Sequence, residues 1–223
     1  MVRNVATPPS DSVRRFVSRS AKRKRRARPP RGWGCVVAVM SARKYQRSRR
    51  TSDWLNGRGM DSINKLGRAE FVERFGPLFE HSPWIAEEAW SDHPFADADE
   101  LFETLRSAMY SAPRERQLAL IRAHPDLAGR AAIDGSLTES STREQASAGL
   151  DRLTPDEYEA FTRANAAYRD RFGFPFVVCV REHTKESILR VAVERLEHTR
   201  DEEVRVALEE IAKIARLRLE ELL

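Results

Sequence analysis

The sequence predicts an all-α domain of seven or eight helices, preceded by a disordered basic extension. Three observations carry that prediction. Charge is split along the chain: residues 1–59 hold 17 Lys and Arg against two acids, Asp11 and Asp53, about +15, whereas residues 60–223 hold 22 against 32, about −10. Helix-start signals recur through 60–223, each followed by apolar residues at the 3.6-residue period. No strand–helix alternation of the kind that builds a parallel sheet is present.

The elements follow in order. Ser62 can cap a first helix carrying Leu66, Phe71, Phe75 and Leu78. Pro83 suits the first position of a short WIAEEAW helix. Asp97 or Asp99 precedes a helix with Leu101, Leu105 and Ala108 on one stripe. Pro113 opens a helix that turns Leu118, Leu120 and Ile121 inward. Ser141 with Glu144, and Thr154 with Glu157, both match the capping box, Ser or Thr followed three residues later by Glu. Thr184 starts another helix and Asp201 the last. Between them, FGFPFVVCV at 172–180 is short and carries Pro175, so it reads as an extended segment or a buried helix start.

The net charge of +5 over 223 residues therefore describes neither half, and basicity of the whole chain argues nothing about nucleic acid. No run of about 18 apolar residues exists, so no membrane span is expected, and the apolar stretch at 35–40 is too short for a secretory core. Two cysteines, Cys35 and Cys179, build no disulfide framework and no Cys-based metal cluster, and they fit a reducing compartment. The extension, with KRKRRARPPR at 22–31, has two readings. It is a nucleic-acid or anionic-surface arm or nuclear address, or it is a dispensable segment translated from upstream of a start at Met60 or Met40.

No glycine-rich phosphate loop, HExxH or CxxC is present. Of five histidines, His198 stands near a helix end and His183 in a charged turn, both suited to the surface; His81 and His93 stand at helix boundaries as simple caps. His124 differs. It follows an apolar helix and precedes Pro125, which disfavours helical backbone and stops the helix there, displaying the imidazole at its mouth; Gly129 then permits a tight turn. Imidazole is the usual proton carrier near neutral pH, although a histidine at a helix end is more often structural. Glu144 has a plain reading as cap partner of Ser141. Ser141 could instead offer its hydroxyl and the free N–H groups of a helix start to an anion, and Gln145 brings an amide able to pair with an imide or urea edge. In the last helix Leu208, Ile211, Ala215, Leu219 and Leu222 form a stripe on which Arg218 falls and Arg216 does not. An inward guanidinium needs an acidic partner or a ligand carboxylate, unless it snorkels to the domain edge.

HPDLAGR at 124–130, SLTESSTREQASAGLDRL at 136–153, FTRANAAYRDRFGFPFVVCVRE at 161–182 and the terminal KIARLRLEELL together resemble the 2-oxo-4-hydroxy-4-carboxy-5-ureidoimidazoline (OHCU) decarboxylase family. The resemblance covers nearly all of 60–223 and none of 1–59. It implies an all-α, cofactor-free and metal-free carboxy-lyase, usually dimeric, that converts this ureidoimidazoline to (S)-allantoin in urate degradation. The expected compartment is the cytoplasm, in keeping with the cysteine usage. By position the resemblance makes His124 the proton donor, with Pro125 beside the substrate and Glu144 the acidic partner that orients the imidazole. It makes Ser141 and Gln145 substrate contacts, and gives Phe176, Val177, Val178, Cys179 and Val180 backbone contacts. Arg218, selected over Arg216 by the stripe, would hold an anionic group of the substrate. Against this stands a helical nucleic-acid-binding protein driven by the basic arm, and a catalytically dead scaffold that kept the fold.

Overall fold

A computed structural model describes residues 58–129 and 135–223. The expected disordered extension lies almost wholly outside the described residues. Among the described residues the domain is all-α, as expected from the periodicity, with nine helices and no strand. They are α1 (Arg58–Ile63), α2 (Arg68–Phe75), α3 (Trp84–Ala89), α4 (Ala98–Ser111) and α5 (Arg114–Ala123), then α6 (Glu139–Ser147), α7 (Pro155–Phe172), α8 (Lys185–Arg195) and α9 (Arg200–Leu222). Three short 3-10 turns join them, at Gly76–Leu78, Trp90–Asp92 and Val180–Glu182.

Capping chemistry sets most of the boundaries. Thr154, Thr184 and Thr199 each accept from the backbone N–H three residues on, and Asp97 does so for α4. Four expected starts move. Ser62 lies inside α1 and Gly67 caps α2, with Glu70 returning a carboxylate to the Gly67 N–H. Pro83 precedes α3 rather than opening it. The last helix starts at Arg200 behind Thr199, whose box with Glu202 outcompetes a start at Asp201. Thr138, not Ser141, caps α6, so no capping box joins Ser141 to Glu144.

Helix α3 packs on α2 and α4, α7 on α8, and α9 runs through the middle against α4 and α5. Val204, Ala207, Leu208, Ile211, Ala212, Ala215 and Leu219 of α9 are all buried, while Leu222 at the end of the expected stripe is exposed. Phe71 and Phe75 meet one turn apart in α2 with their rings tilted, and Tyr168, Phe172, Phe174 and Phe176 form a second aromatic cluster. Each such fully buried side chain stabilises by about 1.5–3 kcal/mol. Gly173 ends α7 in the left-handed region (φ 77°), and 174–179 runs on without a backbone ladder before the turn at Val180–Glu182. That turn packs on α6. The apolar, non-helical segment is thereby laid against the helix that carries Ser141, Glu144 and Gln145.

Candidate active site

Pro125 ends α5 as expected. His124 is extended (φ −72°, ψ 137°) and buried, 7 % exposed. Its Nδ1 lies 2.9 Å from the Leu120 carbonyl. A carbonyl can only accept, so Nδ1 carries the proton and, in the neutral ring, Nε2 carries the lone pair. The loop that follows is held rigid. Asn165 Nδ2 donates to the Leu127 carbonyl at 2.8 Å and Arg169 Nε to both oxygens of Asp126 at 3.0 Å. Ala128 takes a positive φ of 50°, and its N–H donates to Gln145 Oε1 at 3.0 Å. The tight turn requires Gly129 because a Cβ there would sit 2.8 Å from the Asp126 Cβ.

Helix α6 supplies the opposite side. Ser141 and Gln145, one turn apart, are both buried, and Glu144 sits beside them. The expectation that Ser141 presents free helix-start N–H groups fails, because its N–H donates to Thr138 Oγ1. Its hydroxyl proton goes to Glu80 Oε1 at 2.9 Å.

Arg218 faces inward, 6 % exposed, as the stripe argument requires. Its Nε and Nη2 donate to the two oxygens of Glu144 at 2.7 and 2.9 Å. Nη2 also donates to Ser141 Oγ at 3.3 Å, and Nη1 to Glu80 Oε2 at 3.0 Å and the Leu78 carbonyl at 3.4 Å. All five N–H donors of the guanidinium are thus taken by protein acceptors. Arg216 lies outside the site, paired with Asp99 and Glu220 over the ring of Phe102.

This corrects the role given to Glu144. Its carboxylate belongs to Arg218, and the imidazole is oriented by the Leu120 carbonyl. The carboxylate acting on His124 is Glu80, which the sequence reading missed. Glu80 is buried, 3 % exposed, and accepts from Thr138, Ser141 and Arg218. It lies between two helices where no periodicity marks it. The only signal was the demand of an inward arginine for acid.

The electrostatics follow. Burial alone would raise the Glu80 carboxyl, but Arg218 and the hydroxyl donor outweigh it and hold it below the ordinary carboxylate value. Burial pushes the His124 imidazole below its ordinary value. The Leu120 bond and Glu80 oppose that shift, and the charges of Arg218 and His81 add to it. Burial disfavours the charged Arg218, yet Glu144 and Glu80 win and raise it further.

These groups converge on one open cleft. His124, Pro125, Ser141, Glu144, Gln145 and Arg218 line it together with Phe176, Val177, Val178 and Val180. Leu127 and Ile214 join them, and neither was expected. Cys179 is the exception among the expected contacts. It does not line the cleft, and its N–H already donates to Glu210 Oε2 at 2.7 Å. Three other histidines stand apart: His93 stacks on Trp90, His183 meets Ser187, and His198 pairs with Glu203 rather than lying free at the surface. Among the described residues no cluster of His, Cys, Asp and Glu could hold a metal ion.

Comparison with known proteins gives the family of the chain. The family model for OHCU decarboxylase matches residues 64–220. The chain is 45% identical to the OHCU decarboxylase of Haloferax volcanii over 162 residues, which is 73% of this chain and 94% of that protein. To the enzyme of Mus musculus it is 40% identical over 164 residues, 74% and 92% of the two chains. A crystal structure of (S)-allantoin synthase superposes with a TM-score of 0.60 at 30% identity, covering 74% of this chain and 54% of that one. A crystal structure of OHCU decarboxylase in the presence of (S)-allantoin superposes at 0.56 and 22% identity, which speaks for the fold alone. The chain belongs to the OHCU decarboxylase family.

Proposed function

We propose that the chain is a cofactor-independent carboxy-lyase that converts 2-oxo-4-hydroxy-4-carboxy-5-ureidoimidazoline to (S)-allantoin in urate degradation. Residues 60–223 are its catalytic domain. The observation that carries this reading is the convergence of His124, Glu144, Gln145 and Arg218 on one cleft walled by Phe176, Val177 and Val178.

The substrate bears a carboxylate and a hydroxyl on one ring carbon and a ureido group on the next. The bond to the carboxylate breaks, CO2 leaves, and the bonding pair stays in the ring, where the conjugated carbon–nitrogen system spreads it. One proton is consumed, and it must reach carbon from one face to give a single enantiomer. His124 supplies that proton from Nε2, having first taken it up there, since Nδ1–H is committed to Leu120. The Leu120 carbonyl and the Glu80 carboxylate favour this uptake against the larger cost of burial. Arg218 has no free N–H for the substrate, so it acts by its charge and by fixing Glu144, whose remaining lone pairs accept substrate N–H groups. The Gln145 oxygen is occupied by Ala128, and its NH2 donates to a substrate carbonyl. The Ser141 hydroxyl donates its hydrogen bond to Glu80 and is left to read the ureido group as an acceptor.

Among the described residues no helix is long and apolar enough to cross a membrane. We further propose a homodimer working in the cytoplasm on this small-molecule substrate, with no role for nucleic acid. The test is a coupled assay in which urate oxidase and hydroxyisourate hydrolase generate the substrate and circular dichroism follows optically active allantoin. The full chain is expected to raise the signal well above the spontaneous, racemic background; no acceleration would overturn the reading.

A further inference from the structure

Against the Phe176–Val177 wall of the cleft lies a second buried ion pair. Arg195 of α8 is 5 % exposed and Glu203 of α9 is fully buried. Arg195 Nε donates to Glu203 Oε1 at 3.0 Å, and Nη2 donates to the same oxygen. His198 Nδ1 lies 3.0 Å from Glu203 Oε2. Neither charged residue lines the cleft. Burying two charges costs several kcal/mol per ion, and a well-packed apolar pair of similar volume is often as stable or more so. Stability alone gives no reason for this pair.

Its contacts give another reason. Arg195 Nη1 donates to the Val177 carbonyl at 2.8 Å, and its guanidinium lies over the Phe176 ring, 4.7 Å from the centroid. Phe176 and Val177 are both walls of the cleft. The segment 174–179 has no ladder partner, and Pro175 lacks an N–H, so secondary structure cannot fix its register. Side chains do so instead. Arg195 grips the wall at two points, and Glu210 takes the Cys179 N–H two residues on. Glu203 holds the guanidinium plane that makes both grips simultaneous.

We infer that Arg195, clamped by Glu203, is a positioning residue that sets the Phe176–Val178 wall and thereby the face of the substrate ring offered to His124. The inference rests on the decarboxylase reading. A lysine keeps the charge opposite Glu203 but cannot stack flat on Phe176 while reaching the Val177 carbonyl. An apolar pair keeps the volume and removes both grips.

The experiment compares the full chain with Arg195→Lys and with the double variant Arg195→Met, Glu203→Leu. It measures Tm, kcat, KM and, after subtraction of the spontaneous reaction, the enantiomeric excess of allantoin. A merely structural role changes the amount of folded enzyme but not the handedness of what it makes. The expected result is a KM at least tenfold higher and a reduced enantiomeric excess in both variants. In the double variant this accompanies a Tm equal to or above that of the parent. Folded variants with KM within twofold and unchanged enantiomeric excess would overturn the inference. If neither variant folds, the pair is a stability element and the inference also fails. An inactive parent chain overturns the decarboxylase reading and this inference with it, whereas an active parent with unaltered variants overturns this inference alone.

Discussion

Arg218 and Glu144 meet at two points, Nε to Oε1 at 2.7 Å and Nη2 to Oε2 at 2.9 Å, and the guanidinium then spends its other N–H groups on Glu80, Ser141 and the Leu78 carbonyl. A single arginine thereby ties α9 to α6 and to the turn after α2. Arg218→Met strands two carboxylates, one of them fully enclosed, and should destabilise the fold by about 3–5 kcal/mol in denaturant unfolding. Arg218→Lys keeps the charge but cannot span the acceptors. In the coupled assay it should lower kcat/KM by on the order of 10²-fold while losing less stability than the methionine variant.

His124→Asn places an amide where the proton carrier stood. The loss in kcat should be on the order of 10²–10⁴-fold, with a Tm at neutral pH close to that of the parent. A variant of undiminished kcat would remove His124 from the chemistry.

The same histidine makes a prediction about pH. Burial lowers its folded-state pKa below the ordinary 6.5, so the folded protein binds fewer protons than the unfolded chain in the window below that value. Its contribution to stability is complete above about pH 6.5 and is lost as the pH falls through that window. Glu80, also lowered, adds a loss that begins below its ordinary value of 4.5. Tm should therefore drop more between about pH 7 and pH 5 in the parent than in His124→Asn, measured by calorimetry. The proton-donating form of His124 is the charged one, so kcat should fall as the pH rises through the depressed folded-state pKa.

Gln145→Glu separates the two ends of one side chain. The new carboxylate still accepts from Ala128 N–H, but the two amide donors are gone. KM should rise about tenfold, the equivalent of roughly 1.4 kcal/mol, and Tm should fall because the new carboxylate is buried beside Glu144 without a cation of its own. An unchanged KM would show that the Gln145 donors do not touch the substrate.

Cys179 is 1 % exposed and burial pushes its thiol up, to about 11, with Glu182 and Glu210 adding to the shift. In a Cys35→Ser background, an aromatic disulfide reagent at about pH 8 should therefore modify the native protein slowly and the denatured protein at once. Rapid modification of the native protein would contradict the burial of 174–179.

Much of this was legible in the chain. The apolar period predicts the helices because a helix buries one face, and the hydroxyl and carboxylate caps mark their starts because the first N–H groups need acceptors. Where two caps compete, at Ser141 and at Asp201, the sequence reading takes the wrong one, since both candidates satisfy the same local rule. Pro125 predicts the end of α5, and the inward position of Arg218 follows from its place on the α9 stripe.

What the sequence by itself determined, apart from the resemblance of its long segments to a family, is the all-α class, the end of α5 before Pro125 and the inward place of Arg218. Each of these depends on local period or local backbone restriction. What only the tertiary structure decided is who partners whom. Glu144 belongs to Arg218, 74 positions away, and Glu80 to the same arginine, 138 positions away. Cys179 turns its N–H to Glu210, and Arg195 reaches the wall at Val177. A buried charge takes whichever opposite charge the packed helices bring within reach, and that distance is set by how the helices cross rather than by any spacing along the chain.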